Sequence, residues 1–268
     1  SSGAGRRLVG LAGCSPGLVE ERWIYGITEV PLVEASFAAG RPEDGAILAL
    51  VGGLEYDRNK VNPVTQALRQ PGSAFKPFIY SAALEKGFSP ATIINDAPFY
   101  VPADKAGGQA WEPRNYDGKF EGPMRLRVAL AKSKNLVTIR ILQAIGPQYA
   151  QDYIARFGFD PKLHPAYLTM GLGAGAATPM QMATAYSVFA NGGYRITPYL
   201  ISKITDSHGD PLSEAKPALA RKDAERAIDP RPPFILTPSL PTLIPSAPAT
   251  APPGPSPKPL PQPSSTPQ

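Results

Sequence analysis

At 268 residues the chain is long enough for one large core or two small ones. A single cysteine, Cys14, excludes an internal disulfide framework and a multi-cysteine metal site, and the two histidines, His164 and His208, lie in turn-like contexts that do not support a Ser-His-Asp triad. The net charge is +5 with a pI near 9.2, yet lysines and arginines are scattered rather than gathered in a stripe, a pattern of solubility and weak attraction to anionic surfaces rather than nucleic-acid recognition.

Residues 1–22 are glycine-rich and aperiodic and are left unassigned. Within them R-R-L-V-G-L-A-G-C, ending at Cys14, looks like a lipoprotein processing site, but its apolar core of about six residues is too short for a signal peptide. No apolar run approaches the roughly 20 residues that a membrane helix needs. From Val33 the chain reaches R-P-E-D-G and returns as A-I-L-A-L-V, and Asp44-Gly45 between apolar runs predicts a β-hairpin. Residues 52–70 are polar and irregular.

The stretch R-Q-P-G-S-A-F-K-P-F-I-Y-S-A-A-L-E-K-G, residues 69–87, reads as a buried helix. Gly72 lets the backbone turn, Ser73 suits the N-cap, Pro77 falls in the first turn and Gly87 ends the helix. Phe75, Phe78, Ile79, Ala82 and Ala83 recur at helical spacing. Ser73 and Lys76 then share a face one turn apart, close enough for the amine to reach the hydroxyl, which is the arrangement of a serine nucleophile with a lysine base. A second Ser-x-x-Lys, Ser213 to Lys216, follows a turn, lacks an apolar helix and reads as chance.

Residues 88–123 read mostly as loop, broken by Pro90, Pro98, Pro102 and Pro113. Their aromatic residues Phe99, Tyr100, Trp111, Tyr116 and Phe120 either anchor that loop to the core or line a peptide cleft. In R-L-R-V-A-L-A-K-S-K-N-L-V-T-I-R one helix ends near Lys132 and another, capped by Asn135, runs to Gly146. Ser133 and Asn135 on that connection offer a second hydroxyl to relay a proton and an amide to orient Lys76 and a substrate. A short helix follows over residues 147–157. Thr178, Pro179 and Gln181 form a capping-box pattern opening a helix that ends at Asn191-Gly192, with Met180, Met182, Ala183, Tyr186 and Phe189 as core. Gly171, Gly173 and Gly175 before it lack the surroundings of a nucleotide loop. Residues 199–212 read as a small hairpin, and the charged stretch to Asp229 as an exposed helix. From Arg231 the text turns to Pro, Ser, Ala and Thr, with 15 of the 33 prolines from Pro230 onward, and extended disordered chain is the expectation.

Four segments together resemble the transpeptidase domain of class A penicillin-binding proteins, within the superfamily that includes the serine β-lactamases. They are R-Q-P-G-S-A-F-K-P-F-I-Y-S-A-A-L-E-K-G, W-E-P-R-N-Y-D-G-K-F-E-G-P from Trp111, S-K-N at Ser133, and T-P-M-Q-M-A-T-A-Y-S-V-F-A-N-G-G from Thr178. The resemblance runs over residues 23–230, between an unassigned segment at 1–22 and a proline-rich tail at 231–268. It implies an α+β fold, an antiparallel sheet with helices like that of the β-lactamases and DD-peptidases, and a periplasmic location at the inner membrane. Full-length relatives carry a membrane anchor and a glycosyltransferase domain that this sequence does not show.

By that resemblance Ser73 attacks a D-alanyl-D-alanine stem peptide of peptidoglycan, Lys76 is the base, Ser133 relays the proton and Asn135 orients lysine and peptide; β-lactams would acylate Ser73, and no cofactor is implied. A neutral Lys76 needs its pKa brought down by about 3 from roughly 10.4, a cost near 4 kcal/mol that burial could impose. The family's third motif, Lys-Thr-Gly or Lys-Ser-Gly on a strand, is absent from the sequence, so the C-terminal part of the sheet is expected to be missing. Weak activity or none, and no labelling by fluorescent penicillin, is the expectation. The alternatives are a truncated or frame-shifted non-catalytic fragment, which sequencing of the coding DNA decides, and a β-lactamase, which nitrocefin turnover would reveal.

Overall fold

The computed structural model describes residues 14–19, 22–27, 35–53, 60–103 and 110–236. The look-alike processing site over residues 6–13 and the proline-rich stretch beyond residue 236 lie outside them. Strands β1 (Cys14–Val19) and β2 (Arg22–Ile27) pair antiparallel, so part of the stretch left unassigned from sequence is a hairpin.

The predicted hairpin forms from β3 (Phe37–Gly40) and β4 (Ile47–Val51). Its turn is closed by Gly45 N–H donating to the Arg41 carbonyl at 2.9 Å and by the Asp44 carboxylate accepting from Ala46 N–H at 3.0 Å. Gly45 has φ +85, and a Cβ there would stand 2.4 Å from the Thr197 carbonyl oxygen, so only glycine fits. Leu48 and Val51 of β4 are exposed.

The centre of the core is α1 (Lys76–Glu85), entered through a 3-10 turn, Gly72–Phe75. Every residue from Lys76 to Ala83 is buried, because helices cover it on several sides. These are α2 (Leu126–Ala131), α3 (Asn135–Ile145), α4 (Pro147–Ala155) and the last described element, α6 (Arg231–Leu236). On one side, Phe78 packs its ring against those of Phe75, Phe157, Phe159 and Phe189, with centroids 5.0 to 5.5 Å apart. Aromatic contacts of this kind add to the area buried and fix the helix against rotation.

Three segments differ from their sequence reading. The loop over residues 88–123 contains a strand, β5 (Ile93–Asp96), which pairs antiparallel with β6 (Gly122–Arg125). The charged stretch ending at Asp229 is exposed but not helical: its backbone groups bond to neighbours, Ala220 N–H to the Glu43 carbonyl and Ala227 N–H to that of Gly193. At Arg231, where disorder was expected, α6 instead lays Leu236 against the core beside α1 and α5 (Pro179–Ala190). Pro232 and Pro233 fall in its first turn, where a missing N–H is harmless.

Helix α5 opens with the expected capping box: Thr178 Oγ1 accepts from Gln181 N–H at 3.1 Å and Gln181 Oε1 from Thr178 N–H at 2.9 Å. The last hairpin is β7 (Lys203–Thr205) with β8 (Pro211–Glu214), and both Ser213 and Lys216 of the second Ser-x-x-Lys are exposed there. Among the described residues the sheets are all antiparallel pairs of two strands.

Candidate active site

Ser73 lies inside the 3-10 turn rather than at a helix cap, the cap positions being Pro71 for the turn and Phe75 for α1. This corrects the N-cap reading and has a chemical consequence. A capping hydroxyl would be tied to a backbone N–H, whereas Ser73 is exposed with its oxygen free of that duty. The turn itself is held from outside. Arg69 and Ala177 exchange both backbone hydrogen bonds at 3.0 Å, Gln70 Nε2 donates to the Ala174 carbonyl, and Tyr186 Oη donates to the Ala74 carbonyl at 2.7 Å. Gly173, in the left-handed region at φ +71, lets the two backbones touch: a Cβ there would lie 2.3 Å from the Gly72 carbonyl oxygen.

Lys76, one turn on, is 1% exposed. Its Nζ donates to the Ser133 carbonyl at 2.6 Å, to Asn135 Oδ1 at 2.7 Å and to Ser133 Oγ at 3.0 Å. The amine expected to reach Ser73 is therefore hydrogen-bonded to the distant connection instead, and the sequence reading of Lys76, Ser133 and Asn135 as neighbours corresponds to direct contacts. Burial pushes the lysine pKa down to about 8, because the charged form loses water.

Ser133 owes its position to the way α2 ends. Its N–H donates to the Leu130 carbonyl, and Lys134 N–H to that of Ala129, both at 2.9 Å, a Schellman arrangement that requires a left-handed residue between them. Ser133 occupies that place at φ 53, where glycine is the usual choice. Strain of about 1–3 kcal/mol is stored there, and it turns both the carbonyl and the hydroxyl of one residue onto the same amine.

Asn135 is the first residue of α3 and not its cap, since Lys134 holds the extended cap position without a side-chain cap bond. Its amide is fixed on both sides, with Oδ1 accepting from Lys76 and Nδ2 donating to the Arg114 carbonyl at 2.8 Å. The missing cap comes from elsewhere: Asn115 Oδ1 accepts from Asn135 N–H at 2.9 Å.

The side chain of Lys134 turns the other way, 3% exposed, into a set of carboxylates: Glu121 at 2.9 Å, Asp117 at 3.0 Å and the fully buried Asp96 at 3.5 Å. These partners hold its pKa above the usual value despite the opposing effect of burial. The carboxyl of Glu121 is lowered first by Lys132 and then by Lys134.

The aromatic residues of the 88–123 segment divide between their two readings. Phe99 and Trp111 pack on the core, with the Arg140 guanidinium over the Phe99 ring. Phe99 serves both readings, since it joins Tyr100 and Phe120 in lining a cleft of about 520 Å³ with Glu112 and Arg114, and Tyr116 is 95% exposed. His164 is buried and stacked on Phe75 with centroids 4.9 Å apart.

A family model described as the penicillin binding protein transpeptidase domain matches residues 35–229. This chain belongs to the penicillin-binding protein transpeptidase family. It is 50% identical over 212 residues to penicillin-binding protein 1A of Neisseria flavescens, covering 79% of this chain and 27% of that relative. Against penicillin-binding protein 1A of Vibrio cholerae the identity is 47% over 193 residues, 72% of this chain and 23% of the relative. The crystal structure of penicillin-binding protein 1A from Haemophilus influenzae is similar at a TM-score of 0.76 and 36% identity, over 82% of this chain and 36% of that one. Penicillin-binding protein A from M. tuberculosis, solved as an imipenem acyl-enzyme complex, shares the fold at TM-score 0.69 and 22% identity, over 80% of this chain and 58% of that one. The chain thus spans about a quarter of the length of the curated relatives it matches.

Within this transpeptidase fold, sequence reasoning named Ser73, Lys76, Ser133 and Asn135 but missed Asn115, Lys134, Gly173 and Tyr186. Asn115, Lys134 and Tyr186 lie within the family-like segments, and Asp117 and Glu121 near Asn115 are the sequence's only hint of a carboxylate network around Lys134. No helix among the described residues is long and apolar enough to cross a membrane.

Proposed function

We propose that this domain performs serine acyl transfer on the D-alanyl-D-alanine end of peptidoglycan stem peptides, at the periplasmic face of the bacterial inner membrane, and that β-lactams acylate the same serine. One observation carries the reading: of the three acceptors around Lys76 Nζ, only Ser133 Oγ can also donate. The Ser133 carbonyl and Asn135 Oδ1 hold the amine in place. The hydroxyl, 3.0 Å away, gives its proton an exit.

In the first half-reaction neutral Lys76 takes the Ser73 proton as Ser73 Oγ attacks the penultimate carbonyl. The resulting ammonium passes a proton through Ser133 to the departing D-alanine nitrogen, and the C–N bond breaks to leave acyl-Ser73. An amine from a second strand then attacks the ester by the reverse path, forming the cross-link and restoring the Ser73 hydroxyl. A lysine pKa of about 8 leaves on the order of a tenth of the amine unprotonated at pH 7, enough to serve as base.

The sequence contains no Lys-Thr-Gly or Lys-Ser-Gly, so a second oxyanion N–H from such a strand is not supplied by that motif. Removing one oxyanion donor costs roughly 3–4 kcal/mol, or about 10²- to 10³-fold in rate. Slow acyl transfer is the consequence. The test is D-alanine release from a D-alanyl-D-alanine peptide over long incubation, compared with Ser73→Ala. Release that depends on Ser73 supports the proposal, and equal release from both chains overturns it.

A further inference from the structure

The first turn of α3 presents N–H groups that its own cap residue leaves without a side-chain acceptor, since Lys134 at that position donates rather than accepts and points into the carboxylates. Asn115, 5% exposed and 20 residues earlier, fills that role. Its Oδ1 accepts from Asn135 N–H at 2.9 Å and from Leu136 N–H at 3.4 Å. Its Nδ2 donates to the buried Asp96 carboxylate at 2.7 Å and to the Lys119 carbonyl at 2.8 Å.

Two features make this more than a cap. The neighbouring residue, Arg114, supplies the carbonyl that accepts from Asn135 Nδ2, so residues 114 and 115 grip both the backbone and the amide of Asn135. That amide is in turn an acceptor of Lys76 at 2.7 Å. On the other side Asp96, through which Asn115 is held, accepts from Glu121 N–H at 3.0 Å and faces Lys134. A continuous set of hydrogen bonds thus runs from the buried ion cluster through one asparagine to the lysine.

We infer that Asn115 is a positioning residue for acyl transfer, acting through Asn135 to hold Lys76 in register with Ser133. The inference rests on the acyl-transfer reading for its kinetic part, but the lysine itself can be observed without turnover. The asparagine is suited to the task because its rigid amide accepts from a helix N-terminus through Oδ1 while it donates to a carboxylate and a carbonyl through Nδ2, two separate atoms of one side chain.

The test uses the full chain with lysines labelled at 13Cε, following the Lys76 resonance through a pH titration and measuring Ser73 acylation by a β-lactam in parallel. In Asn115→Ala the Lys76 titration should move below its wild-type value, as the ammonium loses a fixed acceptor, and acylation per folded molecule should fall about tenfold. Asn115→Asp alone, which sets a carboxylate against Asp96, should be at least as damaging. Combining Asn115→Asp with Asp96→Asn exchanges donor and acceptor and should restore both readouts most of the way. Wild-type titration and acylation in folded Asn115→Ala, or an exchange variant that folds yet recovers neither, would overturn the inference. If Asn115→Ala does not fold, the exchange variant decides alone. Absence of Ser73 acylation in the wild-type chain would instead count against the acyl-transfer reading, and the titration would still decide the role of Asn115.

Discussion

Lys76 and Ser133, 57 residues apart in the chain, meet twice: the lysine nitrogen lies 2.6 Å from the serine carbonyl oxygen and 3.0 Å from its hydroxyl. A residue that offers both of its oxygens to one amine must be turned sharply, and Ser133 is, in a left-handed conformation at the end of α2. Geometry suited to proton transfer and backbone strain therefore coincide at one position.

Ser133→Gly separates the two effects. Glycine accepts φ 53 without penalty, so the variant should be as stable as wild type or up to about 1 kcal/mol more so in chemical denaturation. Its acylation should nevertheless drop by about 10²-fold, through loss of the relay hydroxyl. Equal loss of stability and rate would mean that the hydroxyl serves packing alone.

The buried amine predicts a dependence on pH with a definite sign. Folding lowers the Lys76 pKa from an ordinary 10.5 to about 8, so between these values the unfolded chain binds more protons. The destabilisation from burying the ammonium is fully present below pH 8 and is relieved as pH rises toward 10.5. It amounts to on the order of 3 kcal/mol. Denaturation midpoints of wild type and Lys76→Met should therefore converge as pH rises from 7.5 to 10, and acylation should accelerate through pH 8. Parallel stability curves would contradict this.

Gly173→Ala should cost about 2–3 kcal/mol and displace the Ser73 turn, because its Cβ would meet the Gly72 backbone at 2.3 Å in a conformation that alanine resists. Gly209→Ala is the control. It shares a positive φ of 91 but has open space around it, and should cost only about 1 kcal/mol. Thermal melts of the two variants distinguish steric contact from backbone preference.

Removing Lys134 strands the Asp96 carboxylate, which is fully buried. Lys134→Met should destabilise the fold by about 3–5 kcal/mol, and adding Asp96→Asn should recover part of the loss. Additive losses in the double variant would show that the pair is not coupled.

Local features were legible in the sequence, and long-range ones were not. The capping box at Thr178 and Gln181, the Asp44-Gly45 hairpin and the buried α1 are written within a few residues each. Ser73 and Lys76 are legible from their spacing, their pairing with Ser133 and Asn135 from the order of the two motifs, and their individual roles from the resemblance. By contrast, β5 is four residues whose partner lies beyond Trp111, and its ladder depends on a contact that no local period encodes. The α6 helix was hidden by Pro232 and Pro233, which read as chain breakers but sit where a helix tolerates them. The sequence points to Asn135 as a cap because its residue type suits one. The acceptor is Asn115 instead, and only the folded chain brings the two together.

Intact-mass spectrometry after prolonged incubation with a penicillin tests the central claim most directly. Because acyl transfer is slow, little or no label at the short times of a fluorescent-penicillin assay, growing on prolonged incubation to one adduct per chain that maps to the peptide containing Ser73 and is lost in both Ser73→Ala and Lys76→Ala, is the predicted result. No adduct on a folded chain, or one that survives in Ser73→Ala, would contradict it.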